Sequence, residues 1–205
     1  MANTLHSLSR SAANNKSDVL KGTPHDDVLH GSLGHTTFYG GLGDDIYYSK
    51  NADDTIVEYA NEGNDTVYTD TTFTLPTHVE NLTLEGNGNT FGFGNNSNNI
   101  LIGNSGNNRL SGEEGNDFLY GMGGNDTLSG GNGNDHLNGG DGDDYLAGGL
   151  GSDTIITGAG RDTVAFTAAD IREGSIDRLL DFNPDTDKLD LSGMRSLLTG
   201  SNANL

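Results

Sequence analysis

Aspartate recurs in this chain at a fixed interval of nine residues. From residue 94 to residue 165 the sequence divides without insertion into eight nonapeptides. The sixth position of the last six units is a carboxylate: Asp117, Asp126, Asp135, Asp144, Asp153 and Asp162. Carboxylates can perform acid–base chemistry or bind a cation, and a catalytic pair converges at one place in a fold. Recurrence at one spacing therefore favours repeated cation binding over catalysis.

A short strand joined to a tight turn explains the period of nine. The eighth position of every unit is aliphatic: Leu101, Leu110, Leu119, Leu128, Leu137, Leu146, Ile155 and Val164. The last three residues of a unit are strand-like around this inward side chain, whereas the first six follow Gly-Gly-x-Gly-x-Asp, a turn composition. Two units make one coil, so residues 18 apart stack and bury a continuous core. We predict an all-β fold, a parallel β-roll or right-handed β-solenoid.

In such a roll the position-six carboxylates lie in columns, with Asp117 beneath Asp135 and Asp135 beneath Asp153. At the strand spacing of about 5 Å, like charges repel unless a cation lies between successive turns. Oxygen ligands on flexible turns suit Ca²⁺ better than Mg²⁺. Aspartate can also cap turns without a metal. Its recurrence together with glycine at positions one, two and four favours several bound calcium ions.

The units resemble Gly-Gly-x-Gly-x-Asp-x-U-x, the calcium-binding repeat of the RTX (repeat-in-toxin) family. In that family Ca²⁺ lies between stacked turns and is held by position-six aspartates and turn carbonyls. The resemblance implicates the six aspartates given above. It also implies carbonyl ligands from the turns: Gly112, Gly115, Gly121, Gly124, Gly130, Asn132, Gly133, Gly139, Asp141, Gly142, Gly148, Gly149 and Gly151. Asn99 and Asn108 hold position six in the first two units, and since an amide brings no charge, we expect the first sites to be weaker or empty.

The nine-residue repeat also appears, in degenerate form, between residues 22 and 68. Its inward positions read Leu29, Phe38, Tyr47 and Ile56, and Val67 follows after two extra residues. Its sixth positions read Asp27, Thr36, Asp45, Asp54 and Asp65. We predict a shorter β-roll with one or two calcium sites, in which Asp27, Asp45 and Asp54 are metal ligands. Because Thr36 has no carboxylate, we expect it to disturb the pairing of the sixth positions Thr36 and Asp54.

The remaining segments flank these two blocks. Residues 69–93 break the period and contain Val-Glu-Asn-Leu-Thr-Leu, which resembles a segment between such blocks in large secreted bacterial proteins. We predict linking strands there, with a hinge as the alternative. Residues 166–193 resemble the segment that closes β-rolls in secreted metalloproteases, lipases and alginate epimerases, which implies a C-terminal cap. Residues 1–21 are predicted to be a flexible segment and residues 194–205 a tail.

Composition limits the partners of this chain. It has 205 residues, 32 of them glycine, no cysteine and a net charge of −20. So little apolar surface and so much charge predict disorder in the absence of a stabilising ligand. The acidic balance excludes nucleic acid and anionic membranes as electrostatic partners. No apolar run is long enough for a membrane span, and no Sec-type signal peptide is visible at the N-terminus.

No catalytic motif is recognisable. The sequence lacks His-Glu-x-x-His, Gly-x-Ser-x-Gly and a phosphate-binding loop with its lysine. We therefore predict a calcium-binding module rather than an enzyme. The resemblance implies that it is secreted by the bacterial type I route, folds on Ca²⁺ binding outside the cell and supports its parent protein. The alternatives are a non-catalytic module that engages an anionic polysaccharide such as alginate, in a secreted epimerase or lyase, and a spacer in a surface adhesin.

Overall fold

The computed structural model describes residues 17–168, 170 and 175–194. Residues 1–16 of the predicted flexible segment and residues 195–205 of the predicted tail lie outside this range. The described residues form strands and turns, and none of them belongs to a helix long and apolar enough to cross a membrane.

Nineteen strands lie in the described part of the chain. The first nine are β1 (Asp18–Lys21), β2 (Val28–His30), β3 (Thr36–Tyr39), β4 (Ile46–Ser49), β5 (Thr55–Val57), β6 (Thr66–Thr69), β7 (Phe73–Thr74), β8 (Asn81–Leu84) and β9 (Phe91–Phe93). The others are β10 (Ile100–Ile102), β11 (Arg109–Glu114), β12 (Phe118–Tyr120), β13 (Thr127–Asn132), β14 (His136–Asp141), β15 (Tyr145–Leu150), β16 (Thr154–Ala159), β17 (Thr163–Thr167), β18 (Arg178–Leu179) and β19 (Lys188–Gly193).

Except between β5 and β7, each strand pairs in parallel with the next strand but one. The even-numbered strands form a nine-stranded sheet, the odd-numbered strands from β7 to β19 a seven-stranded sheet, and β1, β3 and β5 a three-stranded sheet. In the regular block, residues 94–165, the register is 18 residues, as between Leu119 and Leu137 and between Leu128 and Leu146. Two strands thus make one coil, which confirms the predicted all-β parallel roll.

Strand β11 and strands β13 to β16 of the regular block are longer than the sequence pattern predicts, whereas β10 and β12 have the predicted three residues. Strand β13 continues past Ser129 through the first three positions of the next unit, and Gly131 is in register with Glu113. This close approach depends on glycine, because a Cβ on Gly131 would overlap the Glu113 carbonyl oxygen. After these longer strands, the turn proper is therefore only positions four to six, rather than the predicted six residues.

The core is a single column of inward side chains. All eight position-eight side chains of the regular block are fully buried. In the degenerate block, residues 22–68, the predicted inward residues Leu29, Phe38, Tyr47, Ile56 and Val67 are also buried and belong to the same cluster. The prediction of one inward residue per strand is confirmed in both blocks, and it follows from the two-residue alternation of side chains along a strand.

Residues 69–93 contribute strands to the solenoid. Strand β8 pairs with β6 on one side and with β10 on the other, so the nine-stranded sheet runs through both blocks. The register changes here, with Tyr47 opposite Val67 and Val67 opposite Leu82, which are 20 and 15 residues apart. On the opposite side of the roll, β5 and β7 belong to different sheets. The loss of the nine-residue period therefore changes the register on one side of the roll and interrupts strand pairing on the other.

Both ends of the described chain add strands to the stack. Asp18–Lys21 form β1, paired with β3, although residues up to 21 are predicted to be flexible; the partly buried Leu20 packs against the core. At the other end, β18 and β19 extend the stack beyond β16 and β17, and Leu179 and Phe182 pack against the core. Four other apolar side chains of this end are exposed: Ile176, Leu180, Leu189 and Leu191.

Candidate metal centre

Position-six side chains form a hydrogen-bonded column along one edge of the roll. The backbone N–H of Asp117 donates to Oδ1 of Asp135, and that of Asp135 donates to Oδ1 of Asp153, both at 2.8 Å. We call the side chains that precede the even-numbered strands the first column: Asp27, Asp45, Asp65, Glu80, Asn99, Asp117, Asp135, Asp153 and Asp177. Adjacent coils are thereby joined through one carboxylate oxygen each.

The opposite edge of the regular block repeats this arrangement. The N–H of Asp126 donates to Oδ1 of Asp144 at 2.7 Å, and that of Asp144 donates to Oδ1 of Asp162 at 2.9 Å. We call this set the second column: Asn108, Asp126, Asp144, Asp162 and Asp187. The structure thus brings the six predicted position-six aspartates of the regular block into two columns, three in each.

The other carboxylate oxygen of these aspartates is buried and accepts no hydrogen bond from any described residue. These atoms are Oδ2 of Asp45, Asp65, Asp117, Asp126, Asp135, Asp144, Asp153 and Asp162, together with Oδ1 of Asp27. A buried anionic oxygen without a partner is costly, and such groups in proteins normally pair with a counter-charge or coordinate a metal. Two rows of them, repeated from coil to coil, have the donor chemistry that a hard cation requires.

Backbone carbonyls lie beside these unpartnered oxygens. A Cβ on Gly112 would lie 2.6 Å from the Gly130 carbonyl oxygen and would overlap Oδ2 of Asp117. Two further sets repeat this relation, namely Gly121 with Asp126 and the Gly139 carbonyl, and Gly130 with Asp135 and the Gly148 carbonyl. The first-position carbonyls are therefore placed where they could complete a site with the aspartate of the preceding coil.

Fourth-position carbonyls lie between successive turns. A Cβ on Gly133 would overlap the Gly115 carbonyl oxygen, and a Cβ on Gly151 would overlap that of Gly133. Gly142 stands in the same relation to Gly124. The carbonyls of Gly115, Gly124, Gly133 and Gly142 accept no hydrogen bond from the described part of the chain. They are available to a cation held between two turns.

Other predicted carbonyl ligands belong to the strand ladder. The carbonyl oxygen of Asn132 accepts the N–H of Gly115 at 2.9 Å. Asp141 and Gly149 are residues of β14 and β15, and Gly149 is in register with Gly131. Gly130, Gly139 and Gly148 also lie in these strands, so of the predicted carbonyls in the strands only that of Asn132 is shown to be engaged by a neighbouring turn.

Burial raises the pKa of the six position-six aspartates of the regular block above the ordinary value of 3.8. It raises the pKa of Asp135 to about 6, and that of Asp126 and Asp153 to about 7. Removal of the carboxylates from water is the main cause; the charge of the next aspartate in the column adds to it, and the backbone hydrogen bond opposes it. Near neutral pH the metal-free turns therefore hold either protons or unfavourable charge.

Asn99 and Asn108 are satisfied without a cation. Asn99 Nδ2 donates to the carbonyl oxygens of Val79 and Glu80, at 3.3 and 3.1 Å, in the preceding coil. Asn108 Nδ2 donates to the Thr90 carbonyl oxygen at 3.1 Å. In each case the amide oxygen lies where aspartate presents its free oxygen, but it accepts a backbone N–H, from Asn95 at Asn99 Oδ1 and from Asn104 at Asn108 Oδ1, both at 2.7 Å. This contact supports the expectation that the first sites of the regular block are weak or empty.

Asp54 differs from the other predicted ligands. Its Oδ1 accepts the N–H of Thr36 at 2.6 Å, and its Oδ2 accepts the Ser49 hydroxyl at 2.8 Å and the N–H groups of Lys50 and Asn51 at 3.2 Å. Both oxygens therefore have partners, and Asp54 lacks the free oxygen that marks the other aspartates. Among the degenerate block's predicted ligands, Asp27 and Asp45 retain it.

The sequence pattern did not reveal a second ladder at position five. Asn116 N–H donates to Asn98 Oδ1, and Asn134 N–H donates to Asn116 Oδ1, both at 2.7 Å. These bonds run in the opposite direction to those of position six, so each turn is joined to the coils on both sides. The available signal was asparagine at position five of five successive units: Asn98, Asn107, Asn116, Asn125 and Asn134.

The structure also extends the columns beyond the predicted block. The N–H of Asp153 donates to Asp177 Oδ1 at 2.9 Å, and the N–H of Asp162 to Asp187 Oδ1 at 3.3 Å. In the degenerate block, the pattern missed Glu58, which lies with Asp45 and Asp65 in a buried cluster. The signal for Asp177 was its position two residues before a core leucine, Leu179, as at position six of a unit.

A sequence model of the RTX calcium-binding nonapeptide repeat matches the chain in four copies, at residues 12–38, 21–56, 93–128 and 129–164. Together these copies span more than half of the chain. They fall on the degenerate block and on the regular block, where the columns of free carboxylate oxygens lie. No curated protein matches the chain.

Proposed function

Because this chain belongs to the RTX calcium-binding nonapeptide repeat family, we propose that it is a module that folds when Ca²⁺ binds outside the cell. The repeats of this family bind Ca²⁺, and their number implies several ions. Such repeats are typical of secreted bacterial proteins, which supports an extracellular location. The β-roll itself is a structural calcium-binding module, generally without catalytic activity.

The observation that carries this proposal is the row of buried carboxylate oxygens without partners in both columns. Without a cation, the folded state would concentrate these charges in turns that exclude water, in a chain of net charge −20. Binding of Ca²⁺ between turns removes that penalty, so binding free energy becomes folding free energy. We assign the ligands to the free oxygens of the six regular-block aspartates, together with first- and fourth-position carbonyls.

This coupling suits export. Ca²⁺ is scarce in the cytosol, whereas outside the cell it reaches the range of about 10⁻⁴–10⁻³ M at which extracellular sites of modest affinity fill. The chain would stay expanded in the cell, pass through a type I channel, and fold after it emerges. Folding outside would prevent its return and give an ordered template to the attached parts of the parent protein.

Far-ultraviolet circular dichroism of the full chain tests the proposal. In excess chelator we expect a largely unfolded spectrum, and on addition of Ca²⁺ a cooperative gain of β-structure with a decrease in hydrodynamic radius. Mg²⁺ at the same concentration is the control, since it demands a stricter octahedral geometry and keeps its waters. Equal β-content in chelator and in Ca²⁺ would contradict the proposal.

Polysaccharide binding is the weaker assignment. Alginate is anionic and so is this chain, so the two would repel except through bridging Ca²⁺. Co-sedimentation with alginate in the presence and absence of Ca²⁺ distinguishes a glycan-engaging module from a module that binds the cation alone.

A further inference from the structure

Three carboxylates converge inside the degenerate block. Asp45, Glu58 and Asp65 are all buried, with exposed fractions of 0, 7 and 0 %. One oxygen of each lies within 4.8 Å of the others. Asp45 and Asp65 belong to the first column, whereas Glu58 lies outside every sixth position of the repeat. Within the described residues, this is the one group of three or more acidic or histidine side chains whose potential ligand atoms lie so close together.

In the degenerate block, the Glu58 carboxylate lies where the regular turns have a neutral main-chain carbonyl. Beside Gly112, the regular turn places the free oxygen of Asp117 and the carbonyl of Gly130. The equivalent glycine of the degenerate block is Gly40, and a Cβ there would overlap Asp45 Oδ2 together with Oε1 of Glu58. A carboxylate oxygen thus occupies the place that a main-chain carbonyl holds elsewhere in the roll.

The insertion after β5 makes this exchange possible. Asp45 and Asp65 stack at a distance of 20 residues instead of 18, and the N–H of Asp45 donates to Asp65 Oδ1 at 2.8 Å. The additional chain lets the Glu58 side chain turn inward. Its Oε1 accepts the hydroxyl of Tyr47 and the N–H of Gly40, the latter at 3.2 Å. Tyr47 holds an inward position that the regular block fills with leucine, so its hydroxyl orients Glu58 from the core.

Unpartnered atoms point to a ligand for this cluster. Asp45 Oδ2, Asp65 Oδ2 and Glu58 Oε2 are buried and accept no hydrogen bond from the described residues. Burial, and after it the charges of Asp65 and Asp45, raise the pKa of Glu58 to about 8. Among the described residues, no lysine or arginine forms an ion pair with this cluster; the two ion pairs there join Lys50 to Glu85 and Arg161 to Asp143. The cluster has the form of a hard-cation site with three anionic oxygens.

We propose that Asp45, Glu58 and Asp65 form a three-carboxylate calcium site outside the nonapeptide pattern, which binds Ca²⁺ more tightly than the regular turns. The reason is charge, since calcium affinity rises with the number of anionic ligands in a site. Regular turns contribute one free carboxylate oxygen per coil, beside neutral carbonyls. This proposal rests on the proposed function and deepens it, because the degenerate block becomes the first part of the roll to bind Ca²⁺.

Isothermal titration of the full chain with Ca²⁺ tests the affinity order. We expect two classes of ions in the native chain, and we expect Glu58→Gln to lose the tightest ion while the weaker class is retained. Glu62→Gln is the matched control: it removes one charge from the same loop, and its amide oxygen can still accept the N–H of Tyr59. Circular dichroism in saturating Ca²⁺ shows whether each variant is folded.

A second measurement does not depend on any variant. Crystals of the native chain grown with Tb³⁺ should show an anomalous peak between Asp45, Glu58 and Asp65. Peaks in the regular turns without one at this cluster, or an unchanged tight class in folded Glu58→Gln, would overturn the three-carboxylate site and leave the proposed function intact. A native chain that binds no Ca²⁺ at all would instead refute the proposed function.

Discussion

The backbone N–H of Asp135 donates a hydrogen bond to Oδ1 of Asp153, in the next coil of the roll, at 2.8 Å. Oδ2 of Asp153 is buried and has no partner among the described residues. One carboxylate therefore serves two purposes, because one oxygen joins adjacent coils while the other is free for a cation. Fold stability and cation binding are linked through the same side chain.

Substitution of Asp135 by asparagine should separate these two purposes. Asparagine can keep an oxygen for the N–H of Asp117 when its amide nitrogen replaces the free oxygen, which is the reverse of the amide orientation at Asn99. We expect Asp135→Asn to need a several-fold higher Ca²⁺ concentration for folding, because one anionic ligand is lost. Calcium titration followed by circular dichroism measures this midpoint.

The control for that substitution is Asp141→Asn. The Asp141 side chain is exposed on the surface of the same region, and the change of charge is identical. Its midpoint should stay close to that of the native chain, since surface charges contribute little. If both variants shift the midpoint equally, net charge rather than ligation governs the calcium dependence.

Acid should stabilise the calcium-free fold. The pKa values of Asp126 and Asp153 are raised from 3.8 to about 7 in the folded state, chiefly by burial. A raised folded-state pKa contributes stability at pH values below the unfolded pKa, and that stability is lost as the pH rises through the folded pKa. In chelator, we therefore expect more β-structure at about pH 5 than at about pH 8.

Saturating Ca²⁺ should reverse this dependence, because protons compete with the cation for the same oxygens. Urea titrations at the two pH values, in chelator and in Ca²⁺, show whether the unfolding free energy rises or falls with pH in each condition. A calcium-free stability that rises with pH would show that the buried oxygens are charged and already neutralised by other groups.

Asn99→Asp should create a calcium site. Asn99 Nδ2 donates to the carbonyl oxygens of Val79 and Glu80 in the native structure. Aspartate would place an oxygen against those carbonyls, which repels unless a cation lies between them. We expect lower stability in chelator and one additional bound ion in saturating Ca²⁺, counted by native mass spectrometry. Asn98→Asp is the comparison, because the neighbouring position-five side chain is in the other ladder, and it should add no ion.

Met122→Gly should stabilise the loaded roll. Met122 has φ of 77° at the second position of its unit, where Gly131, Gly140 and Gly149 also have positive φ. Its side chain is mostly exposed, so little packing is lost on its removal. Relief of the left-handed backbone strain should raise the unfolding free energy by about 1 kcal/mol. Met122→Ala retains the strain and is the control; equal urea midpoints for the two variants would contradict the explanation.

Local periodicity made much of the site predictable. The position-six aspartates and the position-eight aliphatics repeat with the coil, so their stacking at 18 residues could be deduced before any contact was known. Where the period fails, the sequence pattern is a weaker guide to the ligands. Asp54 resembles a ligand in sequence, but Ser49 and two backbone N–H groups satisfy its second oxygen. Glu58 has no place in the repeat, and only the fold brings it to Asp45 and Asp65.

The sequence by itself determined the coil length, the inward residues and the two columns of aspartate, because a nine-residue repeat imposes the same local environment on each unit. The tertiary structure alone decided which carboxylate oxygens remain free and which coils carry an additional anionic ligand. Those properties depend on hydrogen bonds between residues 18 to 25 positions apart and on the side into which an insertion folds. No local pattern encodes them, since they arise when one coil is laid upon the next.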